Sequence, residues 1–359
     1  IDFSDSRYLW EEDCPFDVPE PSDEAADSRP GGPGMFGNGS YSMWYYINVY
    51  GVTHYLDNSN GTPQDQIKYH NAIQEIGEGT RLGIPITLSS DRQFNAWGGM
   101  IDTPQAAFGV AGDLEIATQL WESYSKQTRA VGYHILLHPY GMELGSWNGE
   151  DPAYLGLMSK AEVEAIQVEG GAYACAKHFI ARGGDSSFQD ARSVAQTVDN
   201  WIYPWEETLK ANPKWVMTNG YGTGLSNSVH VDYDVETMDY LRKTLGFDGV
   251  VLSDWGAQGD NFAKGITPDG IDMAELTVAE RYALTINLGL DQIGNPGVTF
   301  ETGGRDVSLN AVVEAVELGL ISEERLEEAC RRILRTKFEL GLFENPYSSV
   351  EAALALSAR

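Results

Sequence analysis

The amino-acid sequence predicts an α/β fold, and within that class a (β/α)8 barrel of the TIM type in which one strand could be irregular or missing. Three observations lead to this prediction. Short apolar runs recur along the 359 residues without polar alternation, as in parallel strands that are covered on both faces. The ends of these runs, near residues 90, 137, 176, 218, 253 and 290, are spaced by 35 to 47 residues. Helix-periodic stretches fill the intervals, and an open doubly wound sheet is the less favoured alternative.

Seven segments are candidate strands. The first lies around residues 45–52, and the others are the apolar runs 84–88, 133–137, 173–176, 215–218, 249–252 and 288–290. Each interval has room for a loop, a helix and a return loop, which a right-handed crossover between parallel strands requires. Two terminal helices at about 308–318 and 322–340 bring the number of β/α units close to eight.

Local signals bound the helices between these strands. Capping boxes predict helix starts at residues 159–162 and 277–280. Glycines in positions that suit a left-handed C-cap predict helix ends. These glycines are Gly246, Gly289 and Gly341. Met238, Leu241 and Leu245 form an apolar stripe that is expected to face the sheet.

The chain is expected to consist of three parts. Residues 1–40 are predicted to be an acidic, irregular N-terminal arm, because positions 1–30 hold ten Asp and Glu residues and residues 30–34 read Pro-Gly-Gly-Pro-Gly. Residues 41–341 are predicted to form the barrel. Residues 342–359 are predicted to be a C-terminal linker towards a second domain that is absent from this chain.

Composition excludes several classes of function. The chain has 53 Asp and Glu against 24 Lys and Arg, a formal net charge of −29. Nucleic acid and anionic membrane surfaces are therefore not expected as partners, because both need clustered basic side chains. No run of 18 apolar residues predicts a transmembrane helix. The 42% of hydrophobic residues supports a large buried core.

No cofactor or metal is expected. The three cysteines, Cys14, Cys175 and Cys330, are too few and too scattered for a disulfide framework or a zinc site. No Gly-x-Gly-x-x-Gly follows a candidate strand. Because the chain begins at Ile1 rather than Met, a targeting peptide or other residues are expected to have been removed. An extracytoplasmic or secreted location is expected, with a cytoplasmic one as the alternative.

The polar residues that follow the apolar runs are the candidate site, because active sites of such barrels lie at the C-terminal ends of the strands. They are Asp91, His138, Lys177, His178, Asn219, Asp254 and Asp291. Carboxylates accept hydrogen bonds from hydroxyls, and Lys and His donate to them. The set is therefore typical of a site for a small substrate rich in hydroxyl groups.

Each candidate also has a structural alternative. Asp254 is followed by Trp255, which could stack on a sugar ring, but Asp254 could instead cap a helix. Lys177 could form a buried ion pair with a neighbouring acid. His138, which precedes a proline, could simply end its strand, and Asp291 could bond loop amides.

Several segments, which follow one another along the chain in the family's order, resemble glycoside hydrolase family 3. Residues 246–256, Gly-Phe-Asp-Gly-Val-Val-Leu-Ser-Asp-Trp-Gly, are similar to the family's nucleophile segment, and residues 176–179, Ala-Lys-His-Phe, to its sugar-binding Lys-His motif. Residues 79–85 with Asp91 resemble the early segment whose Asp holds the sugar. Residues 129–132, 149–152 and 332–338 fit as well. The resemblance spans residues 66–347.

The resemblance implies a retaining, exo-acting β-glycosidase, most of all a β-glucosidase. In such an enzyme Asp254 would form a covalent glycosyl intermediate with the terminal sugar of a β-glycoside or oligosaccharide, which water then hydrolyses. Asp91, Lys177 and His178 would bind the sugar hydroxyls. Two alternatives stay open: a diverged barrel with a non-hydrolytic reaction on a glycoside, and a non-catalytic carbohydrate-binding or partner subunit.

The sequence also departs from the family's pattern. The stretch before Gly149, where members usually supply an Arg to the sugar, contains none, and Arg182 is a possible substitute. The Tyr that usually follows the strand at 215–218 is displaced to Tyr221. The loop after Lys177-His178 lacks the His that single-barrel members use as part of their general acid/base. A second chain or domain is therefore expected to supply this group, unless one of three acids does so. These acids are Glu143, Asp185 and Asp190.

Overall fold

The computed structural model describes residues 43–48, 51–57, 62–91, 112–140, 151–180, 202–219, 222, 224–226, 230–255, 257–258, 267, 270–294 and 307–357. The elements in these ranges alternate between helices and strands as far as β6, and four α-helices follow it. In chain order they are α1 (Met43–Asn48), β1 (His54–Leu56), α2 (Pro63–Glu78), β2 (Thr87–Ser90), α3 (Leu114–Ala130), β3 (Ile135–Leu136), α4 (Pro152–Ile166), β4 (Tyr173–Phe179), α5 (Tyr203–Leu209), β5 (Trp215–Thr218), α6 (Val235–Asp239), β6 (Val250–Leu252), α7 (Val278–Leu288), α8 (Val307–Glu317), α9 (Glu323–Glu339) and α10 (Val350–Ser357). The expected N-terminal arm, residues 1–40, lies outside the described residues.

The six described strands form one parallel sheet in the order β1-β2-β3-β4-β5-β6. Every neighbouring pair is parallel, and the register runs from His54 opposite Thr87 in the first pair to Trp215 opposite Val250 in the last. Parallel neighbours in strict chain order curl into a half-barrel when each helix crosses over on the outer face. The prediction of an α/β fold with parallel strands is confirmed.

The core has an inner and an outer layer. Inside the curl, Ile135, Cys175, Trp215, Met217 and other strand side chains form one buried cluster. Outside it, the opposite faces of the same strands pack against helices, for example Val216 and Val251 against Met238 and Leu241. The apolar stripe predicted on the helix before β6 therefore faces the sheet. Both faces of the strands are buried, which is why the strands show no polar alternation in the sequence.

The strand predicted around residues 45–52 is wrong. The chain forms helix α1 there, and strand β1 begins only at His54. Trp44 and Ile47, one helical turn apart, pack on the buried cluster that contains Ile67 and Ile76. A short apolar run fits a helix or a strand equally well, and here packing against α2 decides for the helix.

The run at residues 288–290 is not a strand either. Leu288 is the last residue of α7, and Gly289, with a φ of 124°, ends that helix. The parallel pairing expected of this segment occurs later, as a single bridge between Leu252 and Gln292. The other two predicted C-cap glycines, Gly246 and Gly341, also have positive φ values, of 69° each, which is the backbone conformation that glycine adopts at low cost.

Of the two predicted capping boxes, one forms. Thr277 Oγ1 accepts from the backbone N–H of Glu280, and the Glu280 carboxylate accepts from Thr277 N at 2.8 Å. The box at residues 159–162 is wrong, because α4 begins a full two turns earlier at Pro152. Asp151 caps that helix by accepting from Ala153 N at 2.8 Å. Asp followed by Pro is the stronger start signal.

The C-terminal segment, expected to be a linker, packs on the half-barrel. Helix α10 contacts α2 and α3, and Ala353 is fully buried. Asn71 of α2 hydrogen-bonds both the carbonyl oxygen and the backbone N–H of Ser348, each at 2.9 Å. Whether these residues lead to a second domain stays a prediction.

Candidate active site

Asp254 follows strand β6 and lies at its C-terminal end. Its carboxylate Oδ1 accepts from the backbone N–H of Trp255 at 2.7 Å, and Oδ2 lies 3.7 Å from Nε2 of His178. The residue is largely buried, with 8% of its surface exposed. Trp255, Ala257 and Gln258, the described residues that follow it, form turns, so Asp254 caps no helix within them.

Lys177 and His178 come from the end of β4, two strands away from β6. The register between β4 and β5 shifts between Lys177 and Phe179, and an irregularity of this kind re-aims the side chains at a strand end. Lys177 Nζ donates a hydrogen bond to Asp91 Oδ1 at the end of β2. The ion pair considered as an alternative for Lys177 therefore forms with another predicted site residue, and Lys177 is its buried partner while Asp91 is half-buried.

Tyr140 joins these residues and was missed in the sequence. Lys177 Nζ lies 4.6 Å from the centre of the Tyr140 ring, and the His178 ring meets the same ring edge-on at 5.6 Å. A cation over the face of a tyrosine is an attractive contact. The position of Tyr140, directly after the His138-Pro139 pair that ends β3, was the signal that could have found it.

His138 is buried against helices α3 and α4. Its Nδ1 lies 3.1 Å from Oε1 of Glu162, which is fully buried on α4, and its ring meets Tyr124 edge-on at 6.4 Å. Because a carboxylate only accepts, Nδ1 carries the hydrogen of this bond. The partner explains why Glu162 was not available for the predicted capping box. A direct contact of His138 with a sugar stays a prediction.

Asp291 does not lie with the other strand-end residues. Its fully buried carboxylate accepts from Val251 N at 3.0 Å and from three arginines of the surrounding helical layer. These arginines are Arg242, Arg325 and Arg332, the last two at 2.8 and 3.0 Å. The prediction that Asp291 lies with the other site residues at the strand ends is wrong. The apolar run before it, which was predicted to be a strand, is the end of α7. The considered alternative, a carboxylate that bonds backbone amides, is closer to the structure.

The remaining candidates are placed as follows. Asn219 is buried after β5, and its backbone N–H donates to Phe179 O at 2.8 Å. Trp255 is half-buried and packs against the apolar cluster inside the curl. Arg182 and Tyr221 lie outside the described residues. So do the three acids considered as proton donors, Glu143, Asp185 and Asp190.

A second buried acid, Asp232, lies behind Asp254 and was also missed. It follows β5 in a 3-10 turn (Val231–Tyr233), and Gln258 Nε2 donates to its Oδ2 at 2.7 Å. Burial raises the pKa of Asp232, and the charge of Asp254 acts in the same direction. Nothing in the sequence marks Asp232, because it neither follows an apolar run directly nor stands at helical spacing from another candidate.

In the part of the chain that the structure describes, no three His, Cys, Asp or Glu side chains are grouped so that they could hold a metal ion. The helices in the same part include none that is both long and apolar enough to span a membrane. The groups at the strand ends are thus two carboxylates, an ammonium, an imidazole and a phenol. Such a set can bind several hydroxyls at once and offers Asp254 as a nucleophile.

A family model described as the glycosyl hydrolase family 3 N-terminal domain matches residues 47–336. The match includes all six described strands and every predicted site residue. It confirms the resemblance that the sequence motifs indicated.

Curated relatives are similar over most of this chain. A periplasmic β-glucosidase/β-xylosidase of Dickeya chrysanthemi is 29% identical over 350 residues, and a probable β-glucosidase C of Aspergillus oryzae is 27% identical over 351. The alignments cover 82% and 84% of this chain, but 51% of each relative. The chain therefore spans about half the length of the curated relatives it matches.

Solved structures with the same fold include a β-glucosidase involved in saponin metabolism from intestinal bacteria. It has a TM-score of 0.69 at 23% identity, and the match covers 85% of this chain and 40% of that enzyme's chain. A β-glucosidase from Listeria innocua, in complex with glucose, has a TM-score of 0.63 at 24% identity. The match covers 82% of this chain and 40% of that enzyme's chain. At these identities the likeness concerns the fold.

Proposed function

Since this chain belongs to glycosyl hydrolase family 3, we propose that it is the catalytic barrel of a retaining, exo-acting β-glycosidase, and specifically of a β-glucosidase. One observation carries the proposal. Asp91, Lys177, His178 and Asp254, which end three different strands, converge through the Lys177–Asp91 ion pair and the 3.7 Å approach of His178 to Asp254. The names of the similar proteins, β-glucosidases in bacteria and fungi, favour glucose as the sugar.

Asp254 acts as the nucleophile. One carboxylate oxygen attacks the anomeric carbon as the bond from that carbon to the glycosidic oxygen breaks, and a proton is delivered to the departing oxygen. A water molecule then attacks the same carbon, the bond to Asp254 breaks, and the water's proton returns to the group that donated the first one. Two inversions retain the β configuration.

Asp91, Lys177 and His178 hold the hydroxyls of the terminal sugar. Lys177 and His178 donate, and Asp91 accepts. Trp255 stacks on the ring, and His138, Arg182 and Tyr221 complete the sugar site. Bonds to these hydroxyls that tighten in the oxocarbenium-like transition state raise the rate as well as the affinity.

The complete architecture that we propose is the eight-stranded (β/α)8 barrel. Six parallel strands already follow one another in chain order, and the bridge at Gln292 begins a seventh position in the same sheet. Helices α8 and α9 follow, as the outer helices of the last units would. Substrates enter at the C-terminal ends of the strands.

We propose that a second domain or chain supplies the general acid/base and that the enzyme works outside the cytoplasm. About half the length of the curated relatives lies beyond the region of similarity, and one of them is named as periplasmic. General acid catalysis accelerates such reactions about 10²–10⁴-fold, mainly for leaving groups that need a proton. Rates of this chain alone should therefore fall steeply as the pKa of the leaving group rises. If Glu143, Asp185 or Asp190 were the acid, the chain alone would cleave disaccharides efficiently.

The direct test is the stereochemistry of hydrolysis. The nitrophenolate of a nitrophenyl β-glucoside departs without protonation, so the chain alone should cleave this substrate. Proton NMR should then detect β-glucose as the first product. Asp254→Asn keeps the shape of the side chain and should lose most turnover. Asp248→Asn, an exposed aspartate of the segment before β6, is the matched control and should keep it. Detection of α-glucose first, or full activity in Asp254→Asn, contradicts the proposal.

A further inference from the structure

Next to Asp254, a chain of hydrogen bonds links the segments that follow β5 and β6 to the segment of Gln292 and Gly294. Gly294 N donates to Ser253 Oγ at 2.9 Å, Ser253 Oγ donates to Gln258 Oε1 at 3.3 Å, and Gln258 Nε2 donates to Asp232 Oδ2 at 2.7 Å. Ser253, Gln258 and Asp232 are each at most 1% exposed. The backbone N–H of Gly294 can only donate and the carboxylate of Asp232 can only accept, so the direction of every bond between them is fixed.

These hydrogen bonds anchor the backbone on both sides of Asp254, the proposed nucleophile. Ser253 precedes Asp254, and Gln258 lies four residues after it, so the two anchored residues flank the turn that carries the carboxylate. Ser253 is also fixed through its own backbone, whose N–H donates to Gln292 O at 3.0 Å. Gly294 lies so close that a Cβ atom there would stand 2.2 Å from Ser253 O. The turn is therefore held from both sides.

We propose that Asp232 is a positioning residue for Asp254, acting through Gln258 and Ser253. The inference rests on the proposed function, in which Asp254 attacks the anomeric carbon. Ser253 and Gln258 flank the turn of Asp254, whereas Asp232 belongs to the segment after β5. It therefore ties the nucleophile's turn to a neighbouring strand end instead of to its own loop.

A buried acid in this place is costly, which argues for a role. Burial raises the pKa of Asp232, and the charge of Asp254 raises it further, whereas His230 and hydrogen bonds from Thr218 and Gln258 oppose the shift. A residue needed only to fill space would be apolar, because an uncharged side chain of similar size avoids this cost. The acid here accepts the 2.7 Å bond from the amide nitrogen of Gln258 and so helps to orient that side chain.

The expected kinetic effect is on the chemical step. Loss of the Asp232 bond lets Gln258 and the turn shift, and a misplacement of about 1 Å costs about 100-fold in rate. Asp91 and Lys177, which we propose bind the sugar, pair with each other at the ends of β2 and β4. Binding of the sugar should therefore change little while the attack of Asp254 slows.

The experiment measures inactivation of the whole chain by a 2-deoxy-2-fluoro-β-glucoside with a dinitrophenolate leaving group, which reports the first step without a general acid. In Asp232→Ala the limiting inactivation rate constant should fall about 10- to 100-fold, with the inhibitor's dissociation constant within about twofold of wild type. Asp232→Asn, whose amide oxygen can still accept from Gln258, should restore most of the rate. Gln258→Met should cost as much as Asp232→Ala, and the double variant no more than either.

The matched control is Asp234→Ala, which removes a buried aspartate two residues away. Asp234 accepts from Thr237 N at 3.3 Å and caps α6, so this variant should lower the melting temperature and leave the inactivation rate unchanged. Equal rates in Asp232→Ala and wild type, or no rescue in Asp232→Asn, overturn the proposal. Absence of label in wild type overturns the proposed function instead. In that case crystal structures decide the positioning claim, because an unmoved Asp254 in Asp232→Ala contradicts it.

Discussion

Nε2 of His178 lies 3.7 Å from Oδ2 of Asp254, although the two residues end strands that are separated by β5. The distance is too long for a hydrogen bond and short enough for both groups to contact one bound molecule. Lys177, the neighbour of His178, reaches in the other direction to Asp91. The Lys177-His178 pair thus connects the predicted nucleophile with the predicted sugar-binding carboxylate.

Replacing Asp91 by Ala should weaken catalysis on every glycoside. The variant removes an acceptor for the sugar and leaves the buried Lys177 ammonium without this partner. Loss of a hydrogen bond to a charged group costs about 1.5–3 kcal/mol, so kcat/KM should fall roughly 10- to 150-fold. Steady-state kinetics on nitrophenyl glycosides measure it. Glu164→Ala, which breaks the exposed Lys160–Glu164 pair, is the control and should change nothing. Unchanged kinetics in a folded Asp91→Ala would place the sugar site elsewhere.

Asp291→Asn should destabilise the fold rather than act on catalysis. The fully buried carboxylate compensates three arginines, of which Arg325 and Arg332 lie at 2.8 and 3.0 Å. Breaking a buried ion pair by neutralising one partner costs about 3–5 kcal/mol. Urea denaturation should show this loss in the free energy of unfolding. Asp248→Asn, which breaks exposed contacts to Arg332 and Arg335, should cost at most about 1 kcal/mol. Similar losses in both variants would contradict the account.

Lys337 should make stability depend on pH in the alkaline range. The side chain is fully buried, Nζ donates to Thr53 O at 2.6 Å and Pro85 O at 2.8 Å, and burial lowers its pKa from 10.5 to about 7. Between these values the unfolded chain holds a proton that the folded chain does not. The free energy of unfolding should therefore rise by about 1.4 kcal/mol per pH unit from about pH 7.5 to 9.5.

The measurement compares wild type with Lys337→Met, which has a side chain of similar length and no titration. Urea denaturation at several pH values should show that the free energy of unfolding of the wild type, relative to the variant, rises with pH across that window. Below about pH 6 the difference should be constant, because Lys337 is then protonated in both states. A pH-independent difference throughout would mean that Lys337 stays charged in the fold.

The parallel sheet was predictable because its signal is local. A run such as 215–218 is apolar throughout, and the structure has a strand with the same bounds. The errors arose where contacts with other elements of the fold decide the local structure. Whether Trp44 and Ile47 form a strand or a helix depends on their packing against α2. Glu162 pairs with His138, two residues after β3, instead of capping its own helix. Neither contact is visible in a local pattern.

The candidate site was predictable where a residue directly follows a strand, as Lys177 and Asp254 do. The prediction for Asp291 was wrong because the apolar run before it is not a strand. Asp232 and Gln258 could not be found, because they meet only when the loops after β5 and β6 come together. Positions of this kind are fixed by tertiary structure alone.

The central claim is that Asp254 is the nucleophile, and covalent trapping tests it most directly. After inactivation with a 2-deoxy-2-fluoro-β-glucoside, intact mass should rise by one fluorosugar per chain. Digestion and tandem mass spectrometry should then place the added mass on Asp254. Asp254→Asn should take no label, because an amide does not form the glycosyl ester. A label on any other residue, or an unchanged label in Asp254→Asn, would contradict the account.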